Sequence, residues 1–103
     1  MSLKTVIRIH VDLKDLIPSY IEKRKAESAD LKRALSLLDF DTLLAIGHKI
    51  LGSAGGYGFD GLGIIGGKIE AAAQAKNTAA IERLLKEMDD YFSNIEIVYE
   101  TTS

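Results

Sequence analysis

The chain has no cysteine, no tryptophan, a single proline (Pro18) and only two histidines among 103 residues. Without thiols there can be no disulfide, no thiolate catalysis and no zinc–thiolate site, and the composition fits a reducing compartment. No apolar run approaches the ~20 residues that a membrane-spanning helix needs. The start MSLKTVIRIHVD has neither an apolar core nor a small-residue cleavage site, so a cytoplasmic location is expected. An excess of one charge is also missing: 13 basic and 15 acidic residues leave a net charge of −2. With no basic field to attract phosphate backbones, neither nucleic acid nor a membrane is expected as a partner. His10 and His48 lie far apart in the sequence with no acid clustered beside them, a poor metal set, so neither metal nor cofactor is expected.

What remains is helical material. A chain of this length makes one domain, residues 1–103, that buries roughly 60 to 70% of its unfolded surface. Met1–Leu3 is compatible with a vector-derived start. The stretch TVIRIHV alternates weakly, like a strand. Leu13, Leu16, Ile17, Tyr20 and Ile21, then Leu31, Ala34, Leu35 and Leu38, recur at helical spacing. Because proline is tolerated only in a first turn, a short lead-in helix is expected before Pro18 and a long helix after it. Asp39 and Asp41 bracket a break where an acid caps the next helix, which carries His48. A third helix runs from about Asp60, the candidate N-cap, with Leu62, Ile65, Ile69 and Ala72 as its stripe. After Asn77 and Thr78, a fourth carries Ile81, Leu84, Leu85, Met88, Phe92, Ile95 and Val98. The expected fold is all-α, an antiparallel up-down four-helix bundle behind a short N-terminal lead-in.

On a wheel of about 100° per residue, Leu43, Ile46, Ile50 and Ala54 form the core stripe of the second helix, and His48 lies nearly opposite it. The imidazole is therefore expected in solvent. Leu44 and Leu51 share its side of the helix, and Gly52 and Gly55 leave that side without bulk. Glycine costs about 1 kcal/mol relative to alanine inside a helix, so this bare floor between leucines suggests a docking patch that another surface approaches closely. From position alone, a plain surface histidine and glycines that merely end a helix explain the same residues. A free imidazole titrates near ~6.5, leaving a ring nitrogen available as nucleophile or base near neutral pH. Hydrolytic catalysis would also need an orienting acid, an oxyanion site and a pocket, and none is visible on this face. Accepting a group from a partner's active site needs only reach and access.

At these residues the chain resembles the histidine phosphotransfer domain of bacterial two-component phosphorelays. The family motif of histidine, two variable positions, lysine, glycine and a small residue corresponds here to His48, Lys49, Ile50, Leu51, Gly52 and Ser53. The similarity runs from DLIPSYIEKR through GGYGFDGLG into the last helix. The resemblance implies a carrier rather than an enzyme: His48 takes a phosphoryl group from a receiver-domain aspartate, or from a histidine kinase system, and passes it to another receiver, which supplies Mg²⁺. Leu44, Lys49, Leu51, Gly52 and Gly55 would then form the docking surface. There is one departure. The family usually has lysine three residues after the histidine, where this chain has Leu51. Lys49 sits about 100° away round the helix and substitutes poorly, leaving Lys68 on the third helix as a candidate to support the phosphoryl group. A bundle that binds a receiver or kinase without being phosphorylated is the alternative, and a small enzyme with His48 as general base is a third reading that lacks an orienting acid.

Other signals point to structure. The overlapping G-x-G-x-x-G matches, Gly56/Gly58/Gly61 and Gly61/Gly63/Gly66, follow a helix rather than a strand, unlike a dinucleotide site. Tyr57 and Phe59 are expected to cap the bundle end rather than stack on a partner. Glu70, Glu82, Glu87, Asp89 and Asp90 are expected on solvated helix faces, and His10 in a structural or incidental place.

Overall fold

The computed structural model describes residues 4–101; Met1–Leu3, with its vector-like start, lies outside this range, as do residues 102–103. Strand β1 (Thr5–His10) and a 3-10 turn (Val11–Leu13) lead into helix α1 (Ile17–Ser36). Helix α2 (Phe40–Ala54), a 3-10 turn (Gly55–Tyr57), helix α3 (Asp60–Gln74), helix α4 (Thr78–Asn94) and strand β2 (Ile95–Glu100) follow. Most of the chain is helical. Each helix packs on its neighbours in sequence, and α1 also packs on α4, compatible with a four-helix bundle.

The all-α expectation needs correction, because β1 and β2 pair in parallel, Thr5 opposite Ile95 through His10 opposite Glu100. The fourth helix ends at Asn94, so Ile95 and Val98 belong to a strand rather than to its stripe. The run IEIVYE is β-branched and aromatic, and a distant partner strand with the same alternation outweighs the local helical spacing. The expected lead-in helix shrinks to one 3-10 turn, in which His10 Nδ1 accepts a hydrogen bond from the Asp12 amide at 3.1 Å.

The helix starts follow local chemistry. Pro18 falls in the first turn of α1, where a missing amide proton costs nothing. Asp39 caps α2 by accepting from the Thr42 amide and hydroxyl, at 3.2 and 2.6 Å. These bonds hold its carboxyl below the ordinary range. Asn77 caps α4 by accepting from the Ala80 amide. At α3 the cap position falls on Phe59, with Asp60 already in the first turn opposing the positive helix end.

Leu31, Leu43, Ile50, Phe59, Leu62, Ile69, Ile81 and Met88 are fully buried in one core. Tyr20 stacks on Tyr57 at 4.2 Å and on Phe59 at 5.7 Å between centroids, which closes the bundle end as expected. Helices α2 and α3 approach each other closely. A Cβ on Gly47 would stand 2.8 Å from the Gly66 carbonyl oxygen and 2.9 Å from the Glu70 amide; one on Gly66 would stand 2.7 Å from Ile50 Cγ2. The buried stripe of α2 is accordingly Leu43, Gly47, Ile50 and Ala54, with Ile46 displaced to its half-buried flank.

Replacing Gly47 by alanine drives a methyl group into backbone, and overpacking of this kind costs about 1–3 kcal/mol. Thermal melting should fall by roughly 4–8 °C per kcal/mol lost. Gly52→Ala, whose Cβ would meet nothing within 4 Å, is the control and should keep or raise the midpoint.

Asp89 ties α4 to α1. Its carboxylate accepts from Lys32 Nζ at 2.6 Å and from Ser28 Oγ at 2.7 Å, bonds that hold its pKa below 3.8. A depressed carboxylate stabilises the fold above its unfolded pKa, and that contribution is lost as pH falls through the folded value. Because the Asp89 side chain is 43% exposed, solvent screening limits the effect to about 0.5–1 kcal/mol. Asp89→Asn should therefore melt lower than the native chain at pH 7, with the gap closing as pH drops below 3.8, the ordinary aspartate value from which this group is lowered.

Candidate functional site

His48 stands in the middle of α2 with 70% of its side chain exposed, as the helical wheel requires. It does not stand alone. Its Nδ1 lies 2.8 Å from Glu70 Oε2, and Glu70 is held at 21% side-chain exposure on α3. This corrects two expectations, that Glu70 is one more solvated acid and that no orienting acid is available. The carboxylate accepts, so in the neutral ring the proton sits on Nδ1, and Nε2 keeps its lone pair and points away from Glu70.

This pairing follows from the glycine contact beneath it. Gly47 precedes His48, and the space its missing Cβ leaves is filled by the Gly66 carbonyl and the Glu70 amide. With α2 and α3 at backbone contact, the next side chain outward on each helix meets the other: His48 on α2, Glu70 on α3. Leu51 lies one turn further along α2 over Gly67, whose Cβ would be 3.3 Å from Leu51 Cδ1. Gly63, Gly66, Gly67 and Glu70 repeat at helical spacing along α3 and mark this seam. That run of small residues ending in an acid is the sequence signal that could have located Glu70.

The other expected site residues divide into two groups. Leu51 (46% exposed), Gly52 and Gly55 surround His48 on the open face, where a Cβ on Gly52 would meet nothing and one on Gly55 would only touch Asp60 Oδ1 at 3.6 Å. Ile64 of α3, 58% exposed, is a further apolar residue on the outer surface that the sequence reading passed over. Leu44 is corrected from exposed to half-buried, since it packs against the core. Lys49 turns to the other flank of α2, where its Nζ pairs with Glu27 Oε2 at 2.9 Å. Glu27 is 10% exposed, and its second oxygen faces Arg24 Nε at 2.6 Å. Arg24 also donates to Ser53 Oγ at 3.3 Å, and Ser53 shares a 3.0 Å hydrogen bond with Tyr20. These contacts tie α1 to α2 and leave Lys49 occupied. Lys68 is exposed on α3 and forms no ion pair or hydrogen bond with any described residue.

Among the described residues, none of the prominent hollows is lined by His48. A cavity of about 720 Å³ opens between α1 and α4 and is lined by Leu35, Leu38, Leu85 and neighbouring polar residues. Among the described residues no group of three or more histidine, cysteine, aspartate or glutamate side chains could hold a metal ion, and no helix is long and apolar enough to cross a membrane. No family model matches the chain, and no curated protein or solved structure matches it either.

The ring's orientation can be read by ¹⁵N NMR of labelled histidine. In the native chain the neutral form of His48 should show an unprotonated Nε2. In Glu70→Ala the Nε2–H tautomer should become substantially populated, while the helical circular dichroism stays the same. Identical tautomer populations in the two proteins would show that Glu70 does not orient the ring.

Proposed function

We propose that this chain is a phosphoryl carrier of the histidine phosphotransfer type, with His48 Nε2 as acceptor and donor. The observation that carries this reading is an exposed imidazole, oriented through Nδ1 by Glu70, whose free nitrogen faces outward beside open glycines. In this reading the helices form the antiparallel up-down bundle of such carriers, at work in the cytoplasm. The partner is the receiver domain of a response regulator or hybrid histidine kinase. Nε2 attacks the phosphorus of a receiver's aspartyl phosphate; the N–P bond forms as the P–O bond to aspartate breaks, and the carboxylate leaves. The ring gains positive charge while its Nδ1 proton remains on the hydrogen bond to Glu70, whose negative charge stabilises it. Transfer onward reverses these steps on a second aspartate. The receiver provides Mg²⁺ and the acidic pocket, so the carrier needs no substrate cavity of its own. Close approach is served by Gly52 and Gly55, and apolar contact by Leu51 with Leu44 behind it.

Leu51 favours one second reading, a module that binds a receiver without accepting phosphate, because this residue occupies the place of the lysine that the resemblance leads one to expect. Incubation with a phosphorylated receiver from the same genome separates the two. Acid-labile label on the native chain, absent from His48→Gln, is the expected result. Binding without label by any active receiver would favour the module and overturn the carrier.

The same assay tests the missing cation. An exposed pair contributes about 0.2–1 kcal/mol, so Leu51→Lys should raise the ratio of phosphorylated to unphosphorylated chain at equilibrium roughly 1.4- to five-fold. Lys68→Ala should change it little, since Lys68 makes no contact with the His48–Glu70 pair.

A further inference from the structure

Two strands do not make a self-sufficient sheet: an isolated pair is marginal, and parallel strands are normally covered on both faces. β1 and β2 are covered unequally. In β1, Ile7 and Ile9 are 9% and 2% exposed, and the Gly58 turn lies against the strand, with a Gly58 Cβ reaching 3.2 Å from Ile9 Cγ1 and 3.7 Å from the Arg8 carbonyl oxygen. In β2, Ile95, Ile97, Val98 and Tyr99 are all only half-buried. The side of β2 away from β1 pairs with no strand among the described residues. It is a six-residue edge without proline, offering unpaired amide and carbonyl groups.

The geometry points to a second copy of this chain as the occupant of that edge, β2 pairing antiparallel with the β2 of the copy about a two-fold axis at Ile97. Pairing places Ile95, Ile97 and Tyr99 on one face of the sheet with Ile7 and Ile9, and Glu96, Val98 and Glu100 on the other with Val6 and Arg8. With Ile97 opposite itself, Ile95 meets Tyr99 of the copy on the apolar face, the kind of aromatic and β-branched pairing that stabilises sheets. On the other face Glu96 meets Val98, and Glu100 meets Asn94. No carboxylate faces a carboxylate, and Glu100 is already paired with Arg8 at 3.2 Å. Moving the axis to Val98 would set Glu96 against Glu100 twice, so charge favours the Ile97 register over that one. The result is a four-stranded sheet in the order β1, β2, β2, β1, with each Gly58 turn lying against Ile9 of its own β1. An isologous contact of this kind closes at two copies. The inference does not depend on the chemistry of His48.

The absence of cysteine makes the test unambiguous. Light scattering on the native chain should give about 22 kDa, twice the 11.2 kDa of one copy. Under mild oxidation Ile97→Cys should cross-link to a covalent dimer, while Glu100→Cys, far from its own counterpart in this register, should not. Ile97→Lys would set two ammonium groups face to face and should yield a monomer with unchanged helical circular dichroism. If that variant unfolds, the cysteine pair still decides, because it keeps a small side chain at the axis. A native chain that stays monomeric at about 1 mM, weaker than about −4 kcal/mol of association, overturns the proposal. So does a dimer in which Glu100→Cys cross-links as well as Ile97→Cys, or one that Ile97→Cys fails to link.

Discussion

Gly47 and Gly66 meet where α2 passes α3, at a contact that leaves no room for a methyl group on either helix. Each glycine occupies space that a methyl group would deny to the other helix: Gly47 admits the Gly66 carbonyl and the Glu70 amide, while Gly66 admits Ile50. Two helical glycines cost about 1 kcal/mol each in propensity relative to alanine. In return the helices lie at backbone contact, Ile50 and Ile69 are sealed from water, and the outward neighbours of the seam fall into fixed register. His48 and Glu70 are those neighbours. Nothing in the imidazole or the carboxylate alone would hold them at 2.8 Å on an exposed surface, because a solvated pair contributes too little.

On the opposite flank of α2 the means are different. Here α1 approaches through a buried polar cluster, with Arg24 and Glu27 inside the interface, Lys49 reaching in from the surface and Ser53 bonded to Tyr20. Breaking such a cluster strands a buried charge, which makes it a strong determinant of helix rotation even where its net stabilisation is small. α2 is thus fixed by close backbone packing on one side and by charge pairing on the other. The face between them, which carries His48, Leu51, Gly52 and Gly55, remains open.

An oriented nitrogen on an open face suits chemistry completed by another protein. A hydrolytic enzyme surrounds its base with a cavity that excludes water and supplies an oxyanion site. A carrier has the opposite need, because its nucleophile must enter a cavity owned by the partner, and any wall around it would obstruct docking. The open space at Gly52 and the exposure of Leu51 beside His48 fit the second requirement.

The four helices, the acid cap at Asp39, the first-turn proline and the exposure of His48 were all legible from the sequence, because each rests on interactions within a few residues. Periodicity and capping act locally, and local chemistry is what a sequence displays. Glu70, the half-burial of Leu44, the occupation of Lys49 and the β1–β2 pair were not legible. Each depends on residues far apart in the chain: Glu70 lies 22 positions from His48, and Thr5 is paired with Ile95. The sequence alone determined which faces are apolar and that His48 points outward. Only the tertiary structure decided which acid stands beside it, because that depends on how closely α2 and α3 pack, and the distance is set by two glycines whose missing side chains act only once the helices meet.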